Sequence, residues 1–121
     1  MSWDNKKPTV QLLGRWQPWH EGHTELFKRA YAKTGQVFIM ARDVGETDGN
    51  PFDFNFVKKR IIKALQQNGF TYRKDFMIEL VPNIVNITYG RDVGYTIEQE
   101  VLGDDIHAIS ATNIRKDMGL S

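Results

Sequence analysis

The stretch that most restricts the fold is residues 36–41, QVFIMA, a nearly continuous apolar run set between two amphipathic segments. A run of that length without alternation reads as a strand covered on both faces, which is the signature of a parallel sheet. Upstream, residues 9–13 form a shorter apolar-rich run ending at Gly14, again strand-like. Between the two, Leu26, Phe27, Ala30 and Tyr31 recur at helical spacing over residues 22–33, and Gly35 comes next as a stop. Downstream, residues 43–51 are a polar loop containing glycine. Phe54, Val57, Ile61, Ala64 and Leu65 then share one helical face over residues 53–68, which Gly69 ends. Residues 76–81 and 84–89 read as further strands, and residues 106–109 as a last one. Residues 113–118 read as a short helix capped by Ser110 or Thr112, with Gly119 just beyond. This alternation predicts parallel pairing through right-handed crossovers. The expected fold is α/β, a single Rossmann-like three-layer domain with a mostly parallel sheet over residues 1–121.

Composition sharpens the class. In 121 residues the chain is 40% hydrophobic and 26% charged, an ordinary globular mixture that argues against disorder. With 16 Lys plus Arg against 15 Asp plus Glu, the net charge is +1. No global field draws nucleic acid or an anionic membrane, and neither partner is expected. Cysteine is absent, which excludes disulfides, thiolate metal sites and a Cys nucleophile together. The start lacks the apolar run of a signal peptide, and no stretch reaches the length of a membrane span, so a cytoplasmic protein is expected. The sequence leaves self-association into a homo-oligomer open.

Ligands on such folds bind beyond the carboxyl ends of the strands. After the first strand comes GRWQPWHEGH, residues 14–23. Gly14 permits a sharp turn and close approach of a ligand, and Pro18 stiffens the turn. His20 and His23, three apart at a helix start, can face one ligand, and the free N–H groups and dipole there suit a phosphate. The segment ISATNIR, residues 109–115, repeats this logic: the hydroxyls of Ser110 and Thr112 lie at a helix start and Arg115 one turn in. Together they suit a polyphosphate tail. Two such helix starts imply one shared site.

These motifs resemble those of the nucleotidyltransferase superfamily, in which H-x-G-H follows the first strand and I-S-x-T-x-I-R opens a late helix. The likeness is greatest to nicotinamide-mononucleotide adenylyltransferases of the archaeal type, whose G-R-x-Q-P-x-H-x-G-H is matched by Gly14, Arg15, Gln17, Pro18, His20, Gly22 and His23. Their N-P-F is matched by Asn50, Pro51 and Phe52. Cytidylyltransferases of the same superfamily use similar histidines and a similar late motif, so ATP and CTP both stay open as donors. The region between the third strand and the late motif is shorter than in the adenylyltransferases, which leaves the acceptor open too.

The resemblance implies transfer of AMP or CMP from a nucleoside triphosphate to a small phosphorylated acceptor, with release of pyrophosphate and with Mg²⁺ carried on the substrate. His20, His23 and Arg115 are its implied catalytic residues. The implied nucleotide site comprises Gly14, Arg15, Trp16, Gln17, His20, Gly22, His23, Gly90, Asp92, Ser110, Thr112 and Arg115. Arg42 and Asp43, at the exit of the second strand, are candidates for the acceptor or else a surface pair. No protein-held metal is expected. The alternative is a module of the same fold that binds nucleotide without catalysis. Plainer readings stand beside several of these residues. Trp16 and Trp19 would cover the core edge, Gly90 and Gly94 would sit in an ordinary turn, and Lys58, Lys59 and Arg60 would form a solvated face. His107, beside Asp104 and Asp105, reads as structural.

Overall fold

In the computed structural model, which describes residues 3–45, 51–91, 94 and 96–100, strand and helix alternate: β1 (Val10–Gly14), α1 (Glu21–Thr34), β2 (Val37–Arg42), α2 (Phe54–Gln67) and β3 (Phe76–Val81). The strands form an open sheet in the order β1-β2-β3. Both pairings are parallel, with Val10 opposite Val37, Gly14 opposite Ala41 and Arg42 opposite Val81. The chain therefore has the α/β, Rossmann-like arrangement, and all three strands point their carboxyl ends the same way.

The core explains which side the helices take. Along β2, Val37, Ile39 and Ala41 are buried while Phe38 and Met40 between them are half-buried. Phe76 and Ile78 of β3 join the buried row, and Phe27 and Ala30 of α1 and Val57, Ile61 and Leu65 of α2 complete the same cluster. Both helices thus cover one face of the sheet, as two right-handed crossovers made in the same direction require. Fully burying Ile61 or Leu65 stabilises the pairing of α2 with the sheet by roughly 1.5–3 kcal/mol each. The opposite face is less covered among the described residues, where Trp3 meets Phe38 edge-on with ring centroids 6.2 Å apart. The last predicted strand and helix, residues 106–109 and 113–118, lie outside the described residues.

The helix ends obey their sequence signals. Gly35 caps α1 in the left-handed region at φ 79° and donates its N–H to the Tyr31 carbonyl. Asp53 caps α2, its Oδ1 accepting from the Phe56 N–H at 2.8 Å. One expectation fails: residues 84–89 are not a strand. A tight turn at Pro82, whose carbonyl accepts from the Ile84 N–H at 2.7 Å, comes directly after β3. The segment beyond makes no ladder among the described residues and leaves Val85 81% exposed. Its apolar alternation lacks the neighbouring strand that makes β propensity count. Farther on, Glu98 and Glu100 both pair with Lys33 at the end of α1, at 2.9 and 2.8 Å. Among the described residues no helix is long and apolar enough to cross a membrane.

Candidate functional site

The loop from β1 to α1 is built around two buried tryptophans. Trp16 has φ 57°, a left-handed conformation unusual for a bulky side chain, and its ring is held on several sides. Its indole N–H donates to the Met40 carbonyl at 3.1 Å, and the ring lies 5.1 Å from that of Trp19. Gly14 makes room for it: a Cβ there would stand 2.9 Å from Trp16 Cζ2. The need for glycine at the strand exit thus comes from an indole of the protein itself. Trp19 is buried as well, its N–H donating to Thr24 Oγ1 at 2.8 Å.

Gln17 ties this loop to the segment that leads into α2. Its carboxamide oxygen accepts from the Phe52 N–H at 2.9 Å and its NH₂ donates to the Phe52 carbonyl at 3.1 Å, as a neighbouring strand would. Arg60 adds a second tie, its Nε donating to the Trp19 carbonyl at 2.9 Å.

His20 and His23 form a reciprocal cap at the start of α1. His20 Nδ1 accepts from the Gly22 N–H at 3.0 Å, and His23 Nδ1 accepts from the His20 N–H at 3.2 Å. The rings stack with centroids 3.7 Å apart. An Nδ1 that accepts fixes the neutral tautomer, so each ring carries its proton on Nε2. Burial, and then the neighbouring His20, push the His23 pKa down to about 3. Burial and then the Arg60 charge lower that of His20, with Glu21 opposing. The backbone donors that the sequence offers at this helix start are therefore partly engaged, and the pair presents neutral Nε2–H donors. A phosphate oxygen is a fitting acceptor for two such groups side by side.

Two hollows adjoin this loop. Arg15, Gln17, Arg42, Asp43, Phe52 and Asp53 line a pocket of about 310 Å³ at the carboxyl edge. His20, Lys28, Arg60 and Lys63 line a wider groove of about 960 Å³ between the two helices, together with Glu21 and Glu25. The structure thus gathers the predicted Arg15 and Gln17 with Arg42 and Asp43, and stacks His20 on His23 beside them in sequence. Gly22 is buried under its bond to His20. Gly90 sits in the exposed segment after β3, and none of the described residues comes within 4 Å of where a Cβ would stand. Asp92, Ser110, Thr112, Arg115 and His107 lie outside the described residues. Arg60, read as part of a solvated face, instead joins α2 to the histidine loop. Its place one residue before the fully buried Ile61 was the available signal.

No family profile matches the chain. It is 30% identical over 76 residues to a nicotinamide-nucleotide adenylyltransferase of Methanococcus maripaludis, a match covering 61% of this chain and 44% of that protein. It is 28% identical over 80 residues to the protein of the same name from Methanococcus aeolicus, covering 64% and 46% respectively. This likeness supports a nucleotidyltransferase-like relationship. The chain spans somewhat less than half the length of either relative in these matches, so the partial likeness bears on the class of the protein and leaves its substrates open.

Proposed function

We propose that the protein transfers a nucleotidyl group from a nucleoside triphosphate to a small phosphorylated acceptor and releases pyrophosphate. The observation that carries this reading is the stacked pair of His20 and His23 at the helix start after β1, whose Nδ1 atoms accept backbone N–H groups and whose Nε2–H groups are left as donors. The name of the relatives favours ATP over CTP and makes a nicotinamide nucleotide the first acceptor to try.

In this reaction an acceptor phosphate oxygen forms a bond to the α-phosphorus while the bond from that phosphorus to the bridging β-oxygen breaks. The acceptor is already ionised at neutral pH, so neither a nucleophilic side chain nor a strong base is needed. Catalysis then consists of holding the reactants in line and neutralising charge that grows on the phosphoryl oxygens. His20 and His23 donate to oxygens of the α- and β-phosphates. Ser110, Thr112 and Arg115 are assigned to the β- and γ-phosphates, and the backbone around Gly14, Arg15, Trp16, Gln17, Gly22, Gly90 and Asp92 to the rest of the nucleotide. Because Trp16 is buried and the Gln17 amide is engaged with Phe52, these two act by shaping the loop. Arg42 and Asp43 take the acceptor. Mg²⁺ arrives on the triphosphate as part of the substrate; among the described residues no cluster of three or more His, Asp or Glu side chains gathers around a metal position.

The test is pyrophosphate release from ATP and from CTP, each offered with Mg²⁺ and a panel of phosphomonoesters headed by nicotinamide mononucleotide. Turnover with one pair, lost in a double His20→Ala, His23→Ala variant that still folds, is the expected result. Triphosphate binding with no release from any pair would replace the transferase with a binding module. Absence of binding to either triphosphate would refute both.

A further inference from the structure

Helix α2 carries an unbalanced charge. Between Phe54 and Gln67 stand Lys58, Lys59, Arg60 and Lys63, with no Asp or Glu among them. Lys59 and Arg60 come four and three residues before Lys63, a spacing at which like charges on a helix repel. Lys58 is compensated by the rings of Phe54 and Tyr72, whose centroids lie 6.0 and 5.4 Å from its Nζ. Arg60 and Lys63 instead line the groove of about 960 Å³ between the two helices, and Lys28 faces them from α1.

The α1 wall does not supply the missing negative charge. Glu25 is turned to Arg29 at 3.5 Å, and neither Lys28 nor Lys63 enters an ion pair among the described residues. Glu21 is the first residue of α1, and Lys28 stands about 10 Å farther along at 1.5 Å per residue, so Glu21 belongs to the histidine end of the groove. Arg60 spends its Nε on the Trp19 carbonyl, and its two Nη groups have no acceptor among the described residues. Three cations from two helices thus converge on one hollow with no carboxylate committed to them. The hollow offers no open ring on which a base could stack, since Trp19 is only 2% exposed. A compact polyanion fits such a set better than a nucleotide does.

We infer that the groove between α1 and α2 binds inorganic pyrophosphate at a site separate from the reacting nucleotide, with one phosphoryl group on Arg60 and Lys63 and the other on Lys28. The occupant acts back on the histidine loop, because the guanidinium that holds it is the one whose Nε fixes the Trp19 carbonyl, next to His20. The binding itself is independent of the transferase reading; only the identity of the anion as the reaction's own product, and hence feedback on the loop, rests on that reading.

The experiment follows the lysine Cε resonances and the Arg60 Nε–H of the full chain labelled with ¹³C and ¹⁵N. Lys28, Lys63 and Lys74 are assigned by their loss in the single Gln variants, and Arg60 by its loss in Arg60→Lys. Pyrophosphate should move Lys28, Lys63 and Arg60 along one saturable curve, while Lys74, exposed and outside the groove, stays in place. Inorganic phosphate should need a roughly tenfold or higher concentration, because it gives up a charge-assisted contact on one wall. ADP should bind no more tightly than pyrophosphate. The double variant Lys28→Gln, Lys63→Gln should abolish the movement of Arg60. No movement at millimolar pyrophosphate, or equal drift of Lys63 and Lys74 through screening alone, would overturn the inference. So would a tighter response to ADP, which would make the groove a nucleotide site, or an Arg60 movement that survives in the double variant, which would place the anion at the histidine loop. The two readings fail separately. Saturable movement of Lys63 with no pyrophosphate release from any substrate pair keeps the groove and sinks the transferase, and release with Lys63 unmoved does the reverse.

Discussion

Replacing His23 by Gln offers a direct measure of how the site treats charge. Gln at the third position of a helix can return the cap, because its side-chain oxygen can accept from the His20 N–H where Nδ1 now does. It removes the titrating imidazole together with its ring contacts to His20, Trp16 and Trp19, a packing loss that is the same at every pH. In the folded chain His23 has a pKa of about 3, against an ordinary value of 6.5. A base whose folded pKa is depressed is neutral in the fold and protonated in the unfolded chain between those values. The stability it allows is complete above pH 6.5 and drains away as the pH falls towards 3. Each pH unit in that window removes about 1.36 kcal/mol, so moving from neutrality to about pH 4.5 should cost the parent about 2.5 kcal/mol that His23→Gln keeps. Urea denaturation of both proteins at a series of pH values reads the difference directly, with every other titrating group common to the two curves. Parallel loss of stability in parent and variant would refute the buried, neutral state assigned to His23.

The same geometry sets four further outcomes. Gly14→Ala should destabilise the fold by roughly 1–3 kcal/mol through overpacking, and Trp16→Phe, which removes the clashing Cζ2 and Cη2, should recover part of that loss in the double variant; additive melting shifts would contradict the packing. Arg60→Met should raise the His20 pKa, since the Arg60 charge helps to lower it; a ¹H–¹⁵N titration showing no rise would show that burial alone sets it. His23→Ala should lower kcat by about a hundredfold or more with KM little changed; a raised KM at parental kcat would reduce His23 to a ground-state contact. Arg115→Ala should weaken triphosphate binding by roughly 1.5–3 kcal/mol and monophosphate binding by much less; equal losses by calorimetry would move Arg115 away from the distal phosphates.

The elements with a strong local signal were legible in the sequence. QVFIMA was legible as β2 because a six-residue apolar run with Val, Phe and Ile, set between Gly35 and a polar loop, is too short for a helix and suits a covered strand, and Gly35 ended α1 because the chain needs a left-handed residue there. The 84–89 segment misled because its alternation says nothing about whether a neighbouring strand exists, and the turn at Pro82 takes the chain away from the sheet. At the site, His20 and His23 were legible as a pair from their spacing. Their orientation was not, since a histidine cap in which each Nδ1 accepts a backbone N–H depends on ring placement that spacing does not encode. Gln17 was legible as a motif position, yet its partner is 35 residues away in sequence, and no local pattern names Phe52. The role of Gly14 was likewise hidden, because the indole that needs its missing Cβ is set by the backbone of Trp16.

The packing of the histidine loop also gives the protein an internal optical gauge. Trp16 and Trp19 lie with their ring centroids 5.0 and 5.4 Å from the His23 ring, whereas Trp3 sits against Phe38 beneath the sheet. Two of the three indoles in the chain therefore border the imidazole pair. An imidazole that gains a proton or is pulled towards a ligand alters the emission of an indole in van der Waals contact with it. Intrinsic fluorescence at the tryptophan edge can thus report events at the helix start without an added dye, with Trp3 as the steady background against which the change is read.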